Sequence, residues 1–144
     1  PIEIGAVEVI NGKLTGKHIN FFILPRVEIN YMALKVHNLS KQKLLSLTDM
    51  FSDQLTLMKN FISFVGQSLL VAHNAAFDSR MINIELEANN LKIIPLEKWL
   101  CTIKLFKMVY PNLPCKLSKC CESLKIPVQE GLLHGALYDA ILCA

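Results

Sequence analysis

The chain has 144 residues, 52% of them hydrophobic, and a formal net charge of +3, with a mean hydropathy of +0.36. That length suits one compact domain with a real core, no apolar run approaches the ~18 residues of a membrane span, and so mild a basic excess does not identify a polyanionic partner. Five cysteines, an odd number without a disulfide-framework spacing, favour a reducing compartment.

The first residues carry no basic region followed by an apolar stretch, so there is no signal-peptide pattern. The chain opens within a strand pattern and closes within an apolar helical one. The reading is therefore of a domain truncated at both ends, spanning residues 1–144. Residues 2–10 are rich in β-branched side chains and end at Asn11-Gly12, the strongest short hairpin signal. A second strand over 14–24, stopped by Pro25, completes an antiparallel hairpin. Residues 26–39 read as a connection holding Val36-His37-Asn38-Leu39. Ser40 is the expected N-cap of a short helix ending near 47. Thr48 or Asp49 is the expected cap of the next helix, whose apolar stripe is Phe51, Leu55, Met58, Ile62 and Val65.

Gly66 ends that helix, and residues 68–72 read as a short buried strand. Asn74 is the expected N-cap of a helix running to about 89–90. After Pro95 the pattern gives a short strand over 99–102 and a helix to about 110, stopped by Pro111. A helix over 116–124 follows, bounded by Pro127, and a last helix starts near Gly135 or Ala136. This order of elements implies an α/β fold: a mixed sheet flanked by helices.

Two segments carry the residues that could do chemistry. In His73-Asn74-Ala75-Ala76-Phe77-Asp78, Asp78 falls in the first turn of a helix that leaves the C-terminal end of a strand, where α/β proteins tend to place ligands. Alone, such an aspartate more often just complements a helix dipole. In His134-Gly135-Ala136-Leu137-Tyr138-Asp139, five helical steps would rotate the two side chains apart by ~140°. They converge only if His134 sits on the loop before the helix and Asp139 inside it. There His134 would reach an attacking water, a role that suits a side chain ionising near neutrality, and Asp139 would bind a metal.

Together with the strand Ile2-Glu3-Ile4-Gly5-Ala6-Val7-Glu8-Val9 and the run Leu69-Leu70-Val71-Ala72, these segments resemble the DEDD exonucleases of the histidine subtype. Within that family they are most similar to the epsilon-type proofreading domains of bacterial DNA polymerase III. Val36-His37-Asn38-Leu39 resembles the family's Val-His-Gly-Ile segment, with Asn in place of Gly. The resemblance implies a ribonuclease H-like fold that removes mispaired 3′-terminal nucleotides from DNA, releasing 5′-monophosphates with the help of two divalent cations, Mg²⁺ or Mn²⁺.

It further implies that Asp78 and Asp139 are metal-binding and that His134 is the general base. His37, His73, Asn74 and Phe77 are candidates for the nucleotide pocket. The expected partners are a DNA 3′ end and, for the parent protein, a replicative polymerase subunit, with a cytoplasmic location. The family's first motif, an Asp-x-Glu on a preceding strand, has no match in these residues. Glu3 and Glu8 stand on the following strand and are not assigned to it. Without that motif the chain as printed is expected to cut weakly or not at all. Two alternatives share the pattern: an RNA-processing or repair exonuclease, and a non-catalytic relative that binds nucleic acid or a polymerase.

Overall fold

The computed structural model describes residues 1–29, 31, 34–35, 39–47 and 53–144. Strands β1 (Glu3–Ile10) and β2 (Lys13–Phe22) form the expected hairpin, with Glu3 opposite Phe22 and Ile10 opposite Lys13. The turn is Asn11-Gly12 with φ of 51° and 72°, the left-handed pair that matches the twist of the two strands. Between Val7 and Val9 the register shifts. Gly16 sits in the resulting bulge with φ +89°, and Glu8 accepts a 2.7 Å bond from the Thr15 hydroxyl across it.

Helix α1 (Lys41–Leu47) is capped as expected, the Ser40 hydroxyl accepting from Lys43 N–H at 3.2 Å. Helix α2 (Gln54–Val65) departs from expectation. Its cap is Asp53, whose carboxylate accepts the Thr56 N–H at 2.6 Å; Thr48, Asp49 and Phe51 lie outside the described residues. The buried face runs through Met58, Phe61 and Val65, while Leu55 is 37% exposed, so the face includes Phe61, which the expected stripe left out. Gly66 ends the helix with φ +52°, its N–H bonding Ile62 O.

Strand β3 (Leu70–Ala72) leads into α3 (Ala75–Ala88), and β4 (Trp99–Cys101) leads directly into α4 (Thr102–Val109). Helices α5 (Leu117–Ser123) and α6 (Ala136–Cys143) follow, with short 3-10 turns at Leu96–Lys98 and Glu130–Leu132. The strands β3 and β4 pair in parallel, Leu70 opposite Trp99 and Ala72 opposite Cys101. The class is α/β as expected, but among the described residues the four strands make two separate two-stranded sheets. Helix α6 packs against β1, β2 and β3 and so bridges them. The strand expected to be buried is only partly so, since Val71 on β3 is 47% exposed.

The core gathers Ile4 and Ile23 from the hairpin, Met58, Phe61 and Val65 from α2, and Ile82 and Leu86 from α3. No described helix is long and apolar enough to cross a membrane.

Candidate active site

The junction of β3 with α3 is built on one residue that few side chains could replace. Asn74 precedes α3 with φ 73° and ψ 49°, a left-handed conformation that asparagine tolerates better than most residues. It was expected to cap through its side chain. Instead that side chain makes no capping bond, and it is the Asn74 carbonyl that accepts the Phe77 N–H at 2.8 Å. The side chain is left to line a cleft of about 410 Å³ shared with His73, Cys115, Lys116, Leu133, His134 and Asp139.

His73 stands in the wall with both ring nitrogens engaged. Nε2 lies 2.7 Å from the Cys115 carbonyl and Nδ1 2.9 Å from the Thr102 hydroxyl. A carbonyl only accepts, so Nε2 donates to Cys115, and Nδ1 pairs with the Thr102 hydroxyl. The ring thereby ties β3 to α4 and to the loop before α5. Burial pushes the thiol of Cys143, at the C-terminal end of α6, up to about 11, opposed by the Thr102 side chain and the His73 backbone.

The other end of α6 carries His134 and Asp139. As the spacing required, His134 lies on the loop and Asp139 in the first turn of the helix. His134 has φ 71°, and its N–H reaches the Asp139 carboxylate at 3.3 Å. The Asp139 N–H bonds Gly135 O at 2.9 Å. Gly135 occupies the cap position and offers no side chain. Its place is taken by Glu3 of β1, whose carboxylate accepts the Ala136 N–H at 3.1 Å. This contact spans 133 residues, and nothing local in the sequence announces it.

The three expected residues are brought near one another to different degrees. His134 and Asp139 line the same cleft. Asp78 is partly buried and is not among the residues that line the cleft. Burial raises Asp78 above the usual carboxylate range, opposed by its own backbone N–H and by His73. Burial likewise raises Asp139; the N–H and charge of His134 oppose the shift, and the charge of Glu3 adds to it. Phe77 projects from the start of α3, 50% exposed, with the Arg80 guanidinium 5.9 Å from its ring centre. His37 lies outside the described residues.

Two carboxylates and an imidazole are suitable donors for a divalent ion. Among the described residues, however, no three His, Cys, Asp or Glu side chains gather closely enough to hold one. A pair of adjacent dications needs more anionic ligands than two carboxylates supply. The described residues therefore do not make up a two-ion centre by themselves.

Comparison with known proteins bears directly on this arrangement. The chain is 34% identical over 146 residues to the DNA polymerase III subunit epsilon of Rickettsia prowazekii (strain Madrid E), covering 99% of this chain and 62% of that protein. It is 36% identical over 143 residues to the subunit of the same name from Buchnera aphidicola subsp. Acyrthosiphon pisum, covering 98% and 59%. The chain thus spans about three fifths of the length of these curated relatives. Among solved structures it resembles exonuclease X in complex with 5′ overhanging duplex DNA, with a TM-score of 0.69, 27% identity, and coverage of 98% of this chain and 76% of that one. The RNase_T family model, described as Exonuclease, matches residues 1–144. The chain belongs to this exonuclease family.

Proposed function

We infer that this chain is the nuclease part of a proofreading enzyme that hydrolyses the terminal phosphodiester at a DNA 3′ end, preferring mispaired nucleotides. The observation that supports this most is the shared cleft of His134 and Asp139, walled by the β3–α3 junction. In this reading His134 takes the proton of the attacking water, helped by its place on a loop open to solvent. Asn74 and the exposed ring of Phe77 contact the terminal nucleotide; a half-exposed aromatic is a stacking platform for an unpaired base. His73, with both nitrogens engaged, acts through its ring face and by holding the wall. A frayed end enters such a cleft more readily than a paired one, because the cost of unpairing is already met.

Exonucleases of this kind generally use divalent metals, and the reading takes Mg²⁺ or Mn²⁺ as cofactors with Asp78 and Asp139 among their ligands. Bound there, the ions would stabilise the attacking and leaving oxygens of the phosphodiester. The remaining acidic ligands would come from a strand outside these residues, lying along the edge of β1 that is not paired with β2. The reading also gives the parent protein a replicative polymerase subunit as partner and a cytoplasmic location.

The test compares the 144-residue chain with a longer protein that contains it plus an upstream Asp-x-Glu strand, on 3′-labelled DNA with Mg²⁺ or Mn²⁺. The longer protein is expected to release 5′-mononucleotides, faster from a mispaired end, and the 144 residues alone to release few or none. No cleavage by the longer protein would favour the non-catalytic reading, which draws on the lack of any three-ligand cluster among the described residues. Matched activity on RNA would redirect the assignment to RNA processing.

A further inference from the structure

The contact between Glu3 and α6 reaches further than capping. We propose that Glu3 is a positioning residue for the hydrolysis inferred above, holding His134 and Asp139 in register over the cleft through the backbone of Ala136; the proposal rests on that functional reading. Glu3 and Gly5 lie two apart on β1 and so share one face of the strand. Gly5 meets the helix backbone to backbone. A Cβ on it would lie 2.6 Å from both the Ala136 carbonyl carbon and the Leu137 Cα, and would also strike the Leu137 N. Glu3 then fixes the start of the helix with its 3.1 Å bond from Ala136 N–H. One residue closes the gap between strand and helix, and the other sets where along the strand the helix begins.

What depends on that setting is specific. Gly135 brings no side chain to the cap, so the first exposed amide of α6 is satisfied from a distant strand. On one side of Ala136 is His134, a non-glycine residue at φ 71° in a conformation that persists only when its surroundings hold it. On the other is Asp139, which accepts the His134 N–H. Both groups move if the helix start moves. The Tyr138 hydroxyl accepts the Gln129 N–H at 2.8 Å and tethers the loop further upstream, but among the described residues Glu3 is the side chain that bonds the Ala136 amide. A displacement near 1 Å at a reacting group costs on the order of 100-fold in rate.

The experiment uses the intact protein and separates the hydrogen bond from the charge and from stability. Glu3→Gln keeps a side-chain oxygen for the Ala136 N–H and removes the charge; Glu3→Ala removes both. Asp53→Ala removes a helix cap on α2, away from the cleft, as a control for stability alone. Glu3→Ala is expected to lower kcat by roughly 10- to 100-fold with KM for DNA little changed, and to abolish the hydrogen-exchange protection of the Ala136 amide. Glu3→Gln is expected to restore both to near the parent level, and Asp53→Ala to leave kcat unchanged. Glu3→Asp, with a shorter reach, should be intermediate and serves where the alanine variant does not fold.

Unchanged kcat in folded Glu3→Ala overturns the proposal while leaving the exonuclease reading intact. A glutamine variant as damaged as the alanine variant overturns it too, since the charge rather than the bond would then matter. An intact protein that does not cut DNA overturns both.

Discussion

Asp78 and Asp139 are each raised by burial above the ordinary carboxylate range, which has a consequence for the protein without bound cations. The folded state keeps protons at a pH where the unfolded chain, titrating near ~4, has already lost them. Stability therefore falls as pH rises from about 4 through the raised folded values, and the cost is fully present at neutral pH. Asp78→Asn and Asp139→Asn should thus raise the melting temperature in chelator at pH 7.5 by a few degrees while reducing DNA cleavage severely. Below about pH 4 the gain should vanish, because both states are then protonated. A melting series from pH 3.5 to 8 checks this, and variants less stable than the parent at pH 7.5 would show that the carboxylates are needed by the fold. At this scale the sequence was legible where partners were local. Placing His134 on a loop and Asp139 in the helix follows from their spacing. The Glu3 bond to Ala136 and the His73 bonds to Thr102 and Cys115 join distant segments, and no local pattern encodes them.

Elements were legible in proportion to how locally they are determined. Asn11-Gly12 sets its hairpin by backbone preference alone, and Ser40 caps α1 with its own hydroxyl. Along α2 the expected stripe holds at Met58 and Val65, but the buried face also takes in Phe61, three residues after Met58 and four before Val65, while Leu55 in the first turn stays exposed. Strand pairing depends on long-range register, so the expected mixed sheet is present as two pairs of strands bridged by α6. That bridge rests on Gly5, where a methyl group would meet fixed backbone of Ala136 and Leu137. Gly5→Ala is expected to destabilise the protein by on the order of 1–3 kcal/mol, measured by denaturant unfolding. A change within experimental error would mean that β1 and α6 can separate freely.

Across the whole molecule, the family was legible from two short segments, and the chain is 34% identical to an epsilon subunit. The solved relative matches the described fold over 98% of this chain. The polar residues of the cleft come from separate parts of the chain: the β3–α3 junction, the loop before α5, and the loop and first turn of α6. Their convergence is a property of the folded chain, and Asp78 is not part of the cleft lining. The central claim is that this convergence is hydrolytic, with His134 moving the proton. It is tested most directly by the single-turnover rate of 3′-terminal nucleotide release, measured with Mg²⁺ for the intact protein and for His134→Ala. The account predicts a loss of about 10²- to 10⁴-fold in that rate with DNA binding retained; a His134→Ala protein that cuts as fast as its parent would contradict it.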